Sequence, residues 1–277
     1  MIDGDTKLIA HIGYPTASFR APSIYNPWFA RRAINAAVVP LGVRSENFRE
    51  AFPQICRFTN FHGALITMPH KVAVVDWLDE ASAAVRVAGA CNAVRRSGDG
   101  KLIGDMFDGE GFVRAAAAAG RNIVGQRVLI VGAGGVASAI AAACAKAGAG
   151  EIALTDTRAE AAERLADRLR LNYPDLTLSL GSNDPAGFDI AINATPLGTY
   201  PGDPLPMDAS RLSPSALVGE VVLKPATTPF LAAAKARGVA RVTGLDMLFE
   251  QIPAYLEFFG FPTATAAELR ETAEIMK

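Results

Sequence analysis

The strongest constraint on this chain is the segment RVLIVGAGGVASAIAAACAKAG at 127–148, where an apolar run passes through glycines straight into an alanine-rich stretch of helical spacing. Such a run is a strand, a tight turn and a helix, the unit from which a doubly wound parallel sheet is built. Gly132, Gly134 and Ala137 occupy the positions of a GxGxxG/A turn. Gly132 permits the sharp turn, Gly134 lets a pyrophosphate approach the backbone, and Ala137 lets the helix pack close on the strand. The phosphates would meet the N–H groups of a helix that opens at Gly135 and Val136. A second strand, IALTD, ends about 20 residues further on in Asp156, placed to accept hydrogen bonds from the adenosine ribose. A 2′-phosphate would be repelled by that carboxylate, so the sequence predicts NAD, with NADP the weaker fit. Arg158 could offset the repulsion in a dual-specificity enzyme.

Further strands are predicted at 151–155, 189–193, 216–222 and 240–243, and together with 128–132 they make a Rossmann dinucleotide-binding domain, assigned to 106–244. Upstream, the apolar runs KLIAHIG (7–13) and AAVVPLG (36–42) and the segment 63–67 read as buried strands. The last of these must stop at Pro69, which has no N–H to give to a ladder. Helical spacing at 26–35, 45–57 and 70–80 makes this first part α/β with a mainly parallel sheet. It is assigned as a substrate-binding domain over 1–105, completed by 245–277, whose helical runs at 247–259 and 264–276 are expected to pack back on it and leave a cleft between the halves.

Composition narrows the function. Lysine and arginine total 27 against 28 acids, a net charge of -1, which offers no field for nucleic acid or an anionic membrane. A small molecule is the expected partner, and a homodimer stays open. Cys56, Cys91 and Cys144 have no CxxC spacing, and His11, His62 and His70 have no i, i+4 pair, so neither a disulfide framework nor a metal is expected. With no basic-then-apolar leader and no long apolar run, a cytoplasmic location is expected.

Eight motifs in order resemble the shikimate dehydrogenase family, which includes quinate dehydrogenases: GYPTASFRAPSIYN (13–26), ITMPHK (66–71), AGACN (88–92), GDMFDGEG (104–111), GAGGVA (132–137), INATPLG (192–198), VVLKPATTPFL (221–231) and GLDMLFEQ (244–251). The resemblance implies an alcohol dehydrogenase in which Lys71 and Asp108 carry proton transfer. The reaction needs such a pair, because hydride transfer to a nicotinamide must be matched by removal of the hydroxyl proton. It implies that Thr67, Asn92 and Gln251 hydrogen-bond substrate hydroxyls, and that Thr195, Pro196, Leu197, Val222, Gly244 and Met247 join the glycine turn around the cofactor.

The chain departs from the family pattern in one place. The two serines that hold the substrate carboxylate in the family correspond to Phe19 and Ala21, with Arg20 between them, and a tyrosine at the same end corresponds to Leu223. The family's asparagine two residues before Thr67 is Leu65, and its Asn-Thr before Asp108 is Met106-Phe107. Burying a carboxylate against such side chains costs several kcal/mol unless a cation arrives. Either Arg20 clamps it, or the substrate is a related cyclic alcohol with a less charged substituent. A non-catalytic NAD-binding sensor of the same fold is the alternative, and a folate one-carbon dehydrogenase fits the motifs less well.

Overall fold

The computed structural model describes residues 2–273. They fall into two compact units: one runs to Val85 and adds Gly89–Met106 and the chain from Ile252 on, the other is Arg86–Ala88 with Phe107–Gln251.

The first unit contains β1 (Lys7–Gly13), α1 (Ala21–Arg31), β2 (Ala36–Gly42), α2 (Phe48–Cys56), β3 (Phe61–Ile66), β4 (Glu80–Ala81), the first half of α3 (Ala83–Ala88), β5 (Ala93–Arg96) and β6 (Leu102–Asp105). Its sheet runs β2-β1-β3-β5-β6-β4. The centre is parallel, with Ile12 opposite both Leu41 and Ile66, whereas β5 runs antiparallel to β3 and β6. Both faces of β1 are covered from Ile9 to Gly13, which is why, His11 excepted, that stretch is apolar instead of alternating. Helix α1 opens five residues before the predicted start at 26. Pro22 in its first turn suits a helix start, and Ile24, Tyr25, Trp28 and Phe29 make its buried stripe. The predicted helix at 70–80 is instead a short 3-10 turn, Ala73–Trp77, followed by β4. There the chain is captured by the sheet edge, where Asp79 N–H donates to the Leu102 carbonyl (2.9 Å) and Glu80 pairs with Ile103.

The second unit contains α4 (Asp108–Ala118), β7 (Arg127–Val131), α5 (Gly135–Lys146), β8 (Glu151–Thr155), α6 (Ala159–Asn172), β9 (Thr177–Leu180), β10 (Ile190–Asn193), β11 (Leu217–Glu220), α7 (Pro229–Ala236) and β12 (Ala240–Val242). Its sheet is parallel throughout, in the order β12-β11-β10-β7-β8-β9. The strand order reverses between β7 and β10, and ligands of such sheets bind beyond the carboxyl ends of the strands at that reversal. Strand β9 escapes the sequence reading because it is a short edge strand with no fully buried residue. The unit boundary falls inside α8 (Gly244–Phe258), after Gln251. A capping box of Thr265 and Glu268 opens α9 (Ala266–Thr272) within the first unit; residues 274–276 of the predicted final helix lie outside the described residues. Among the described residues, no helix is long and apolar enough to cross a membrane.

Candidate active site

In the first unit, the carboxyl ends of β1 and β3 bring Thr67, Lys71 and Asn92 into one backbone network, with the Phe19 ring close by. Thr67 N–H donates to Ile12 O (2.9 Å), Ile66 N–H to Asn92 O (2.9 Å), Asn92 N–H to Asp105 O (3.1 Å) and Cys91 N–H to Lys71 O (2.7 Å). Residue 13 must be glycine for this to close. A Cβ there would run into the Thr67 methyl and lie 2.7 Å from Met68 O and 2.9 Å from Phe19 Cζ. His70 pins the segment before Lys71: its Nε2 meets Val43 O at 2.7 Å and its ring stacks on Phe48 at 4.1 Å. Arg20 is the half-buried N-cap of α1 and Ala21 its first residue.

In this same end of the first unit lies a residue that sequence reasoning treated only as a metal candidate. His11 is buried, sits opposite Leu65 in the β1·β3 register, and stacks on Phe19 with ring centroids 3.9 Å apart. Burial, and then the Lys71 ammonium, push its imidazole down to about 4. Its Nδ1 has no hydrogen-bond partner.

In the second unit, α4 carries Asp108 as its buried first residue. Two glycines set its position. A Cβ on Gly109 would collide with the Ala139 carbonyl of α5, and one on Gly111 would lie 2.5 Å from Met247 O and 2.7 Å from Gln251 Cβ on α8. Gln251 is buried, and its Oε1 has no partner. Leu223, by contrast, is 44% exposed.

The glycine turn has the shape a dinucleotide requires. Gly132 has φ +112, and a Cβ there would lie 2.7 Å from Ala194 O, whereas the Cβ positions of Gly134 and Gly135 face open space. The first helical bond of α5 runs from Ser138 N–H to Gly134 O, so the amides of Gly135, Val136 and Ala137 form the helix's free amino-terminal turn. The residues therefore fit a bound pyrophosphate. Around the same strand ends, Thr195 Oγ1 donates to Asn193 Oδ1 (2.6 Å) and Leu197 N–H to Thr195 Oγ1 (3.1 Å), with Pro196 between them. A Cβ on Gly244 would lie 2.6 Å from Val222 O, so α8 and Met247 start against that strand end.

Glu220 was not predicted and organises this region. It is fully buried, accepts from Asn193 Nδ2, Val221 N, Val222 N and Thr228 Oγ1 at 2.9–3.0 Å, and is pushed up by burial despite those donors. Its only sequence signal was an acid in an otherwise apolar strand.

The model of the shikimate dehydrogenase substrate binding domain matches residues 11–94. The shikimate dehydrogenase (NADP(+)) of Rubrobacter xylanophilus is 39% identical over 259 residues, covering 90% of this chain and 89% of that protein. Among solved structures, 5-ketofructose reductase of Gluconobacter sp. strain CHM43 superposes with TM-score 0.89 at 30% identity, covering 98% of this chain and 99% of that one. Shikimate 5-dehydrogenase of Listeria monocytogenes, solved with shikimate and NAD, gives 0.90 at 29% identity, covering 98% and 97%.

These relatives overturn the predicted preference for NAD over NADP, since the first of them and others at 34–35% identity are named for NADP(+). The physical reason lies in Asp156. One of its oxygens accepts from Ala133 N–H (2.8 Å) and the other from Arg158 N–H (2.9 Å), so the carboxylate closes the chain's own turn. Burial alone would raise its pKa, but those two bonds and the Arg158 guanidinium, with Nε at 3.6 Å, outweigh it and hold the group low. A carboxylate already bonded and partly neutralised is a weaker barrier to a 2′-phosphate than an isolated one.

Proposed function

This chain belongs to the shikimate dehydrogenase family, and on that premise we propose that it is an NADP(H)-dependent oxidoreductase for a polyhydroxylated compound related to shikimate or quinate but bound without the family's carboxylate clamp. The observation that carries the substrate reading is Phe19, stacked on His11 and beside Gly13, where the family resemblance calls for a carboxylate-binding serine. A buried carboxylate facing that ring and Leu65 would lose its hydration without gaining donors. A relative named as a reductase of 5-ketofructose, a sugar without a carboxylate, supports the same reading.

In this reading Lys71 exchanges the hydroxyl proton at its Nζ, and Asp108 orients that group and binds the reacting hydroxyl. Thr67, Asn92 and Gln251 hold the remaining hydroxyls. NADP(H), when bound, supplies or accepts the hydride. Gly132, Gly134 and the first turn of α5 hold its pyrophosphate, Arg158 meets the 2′-phosphate, and Thr195, Pro196, Leu197, Val222, Gly244 and Met247 line the other end.

The test is turnover with NADP+ and NADPH over a panel of shikimate, quinate, neutral cyclic polyols and ketoses, with NAD+ and NADH in parallel. We expect neutral members to exceed shikimate in kcat/KM. Shikimate equal to or above the best neutral member would sink the altered-substrate reading, and no turnover at all would sink the catalytic one.

A further inference from the structure

The three histidines separate into two kinds. His70 Nε2 meets the Val43 carbonyl at 2.7 Å, and His62 Nε2 meets the Phe259 carbonyl at 2.6 Å. Each is tied to the backbone, as a structural histidine should be. His11 is 8% exposed and its Nδ1 meets nothing. A neutral imidazole carries one donor and one acceptor, so whichever tautomer is present, Nδ1 is a buried polar atom lacking its bond. Folded proteins rarely leave such an atom unpaired, and where they do a functional role, a bound water or an ion accounts for it.

The surroundings say what kind of ligand. One face of the ring is covered by Phe19, and Leu65 stands opposite in the strand register. Two residues along β1, on the same face of the strand, Gly13 leaves the space in which Thr67 and Phe19 approach each other. The Lys71 ammonium is near enough to act on the imidazole electrostatically. With its pKa pushed down to about 4, the ring is uncharged near neutral pH. It therefore offers a directed hydrogen bond and no positive charge.

We propose that His11 is a further substrate-contacting, specificity-determining residue, whose imidazole edge hydrogen-bonds a hydroxyl of an uncharged polyol or hydroxyketone beside Lys71. The substrate class rests on the proposed function above; the contact itself rests on the place of this ring, stacked on Phe19, close to Lys71 and not tied to the backbone as the other two histidines are. At this end the site exchanges charge recognition for a single neutral bond on an aromatic wall.

The experiment compares the wild-type enzyme with His11→Val and His11→Asn on whichever panel member is turned over best, and on its deoxy analogues lacking one hydroxyl at a time. NADPH affinity, followed by fluorescence, serves as the control for folding. For His11→Val we expect KM to rise roughly tenfold with a smaller change in kcat, the size of a neutral hydrogen bond. We also expect preference for the parent substrate over one particular deoxy analogue to collapse, and His11→Asn, which keeps a polar group, to recover part of it. A merely structural histidine would not single out one hydroxyl. In ¹⁵N-histidine spectra of the wild type, saturating substrate should shift the His11 nitrogen.

The contact is overturned if His11→Val binds NADPH normally and discriminates every analogue as the wild type does, if the ¹⁵N signal stays still, or if the wild type binds no panel member. Shikimate as the best substrate, with His11→Val still losing discrimination at one hydroxyl, would overturn the substrate class while leaving the contact standing.

Discussion

The glycine turn after β7 and the strand ends of β1 and β3 solve the same problem by opposite means. At the turn, space is prepared by leaving side chains out: Gly134 and Gly135 have open space where a Cβ would stand, which leaves backbone amides to meet a pyrophosphate in the proposed reading. At the ends of β1 and β3, the surface is made of the side chains themselves, with Phe19 laid on His11 and Thr67 and Lys71 near them, and in the proposed reading these do the recognising. Backbone recognition ties a sequence to a few glycines whatever the substrate. Side-chain recognition can be rewritten residue by residue while the strand beneath stays the same. A change of substrate within one fold is thus expected at the second kind of surface and not at the first.

The sharpest way to separate the two regions is Lys71→Ala. Steady-state kinetics should show kcat reduced by roughly 10²- to 10⁴-fold, the range for a lost acid–base group, with NADPH affinity unchanged. A variant with near-normal kcat would move the proton chemistry away from Lys71. Gly132→Val attacks the other region. At φ +112, with the Ala194 carbonyl 2.7 Å from the new Cβ, the strain is on the order of 2–3 kcal/mol or more. Both the unfolding midpoint and NADPH affinity should fall, and a variant that keeps both would show that the turn tolerates a side chain.

The third prediction concerns pH. His11 sits near 4 in the folded chain against an ordinary value of 6.5, so the unfolded chain binds the extra proton between those values. Its contribution is intact above about pH 6.5 and is lost as pH falls towards 4, on the order of 3 kcal/mol across the window. His62 is also depressed, chiefly by burial, and adds to the same trend, so the comparison must be made against His11→Val. Denaturant unfolding at several pH values should show a flatter dependence in that variant. Equal slopes would mean that His11 is not held neutral.

What could be read from the sequence follows the same division. The fold class and the strands β7, β8, β10 and β11 were legible because burial on both faces writes itself as largely apolar runs, while β12 was legible from Ala240 and Val242 alone. Strands β5 and β6 were missed, since Ala93–Arg96 and Leu102–Asp105 are short and owe their existence to pairing with β3 and with each other. At 70–80, the spacing of Val72, Val75 and Leu78 imitates a helix, and only the sheet edge decides otherwise. Lys71 and Asp108 were picked out by resemblance, whereas nothing local to the sequence marks His11 as lacking a partner or Glu220 as gathering four. Asp156 misled for a related reason: its position matched the template for a ribose acceptor, while its oxygens were already engaged by Ala133 and Arg158.

The two glycines of α4 carry a consequence for how this helix can change over evolutionary time. Gly109 faces α5 and Gly111 faces α8, and neither has room for even one methyl group. Each weakens the isolated helix by about 1 kcal/mol relative to alanine, so α4 holds its shape because its neighbours grip it from two sides. The direction in which Asp108 leaves the helix is thereby tied to the pair, and a side chain at either glycine would re-aim the carboxylate by pressing on α5 at Ala139 or on α8 at Met247 and Gln251.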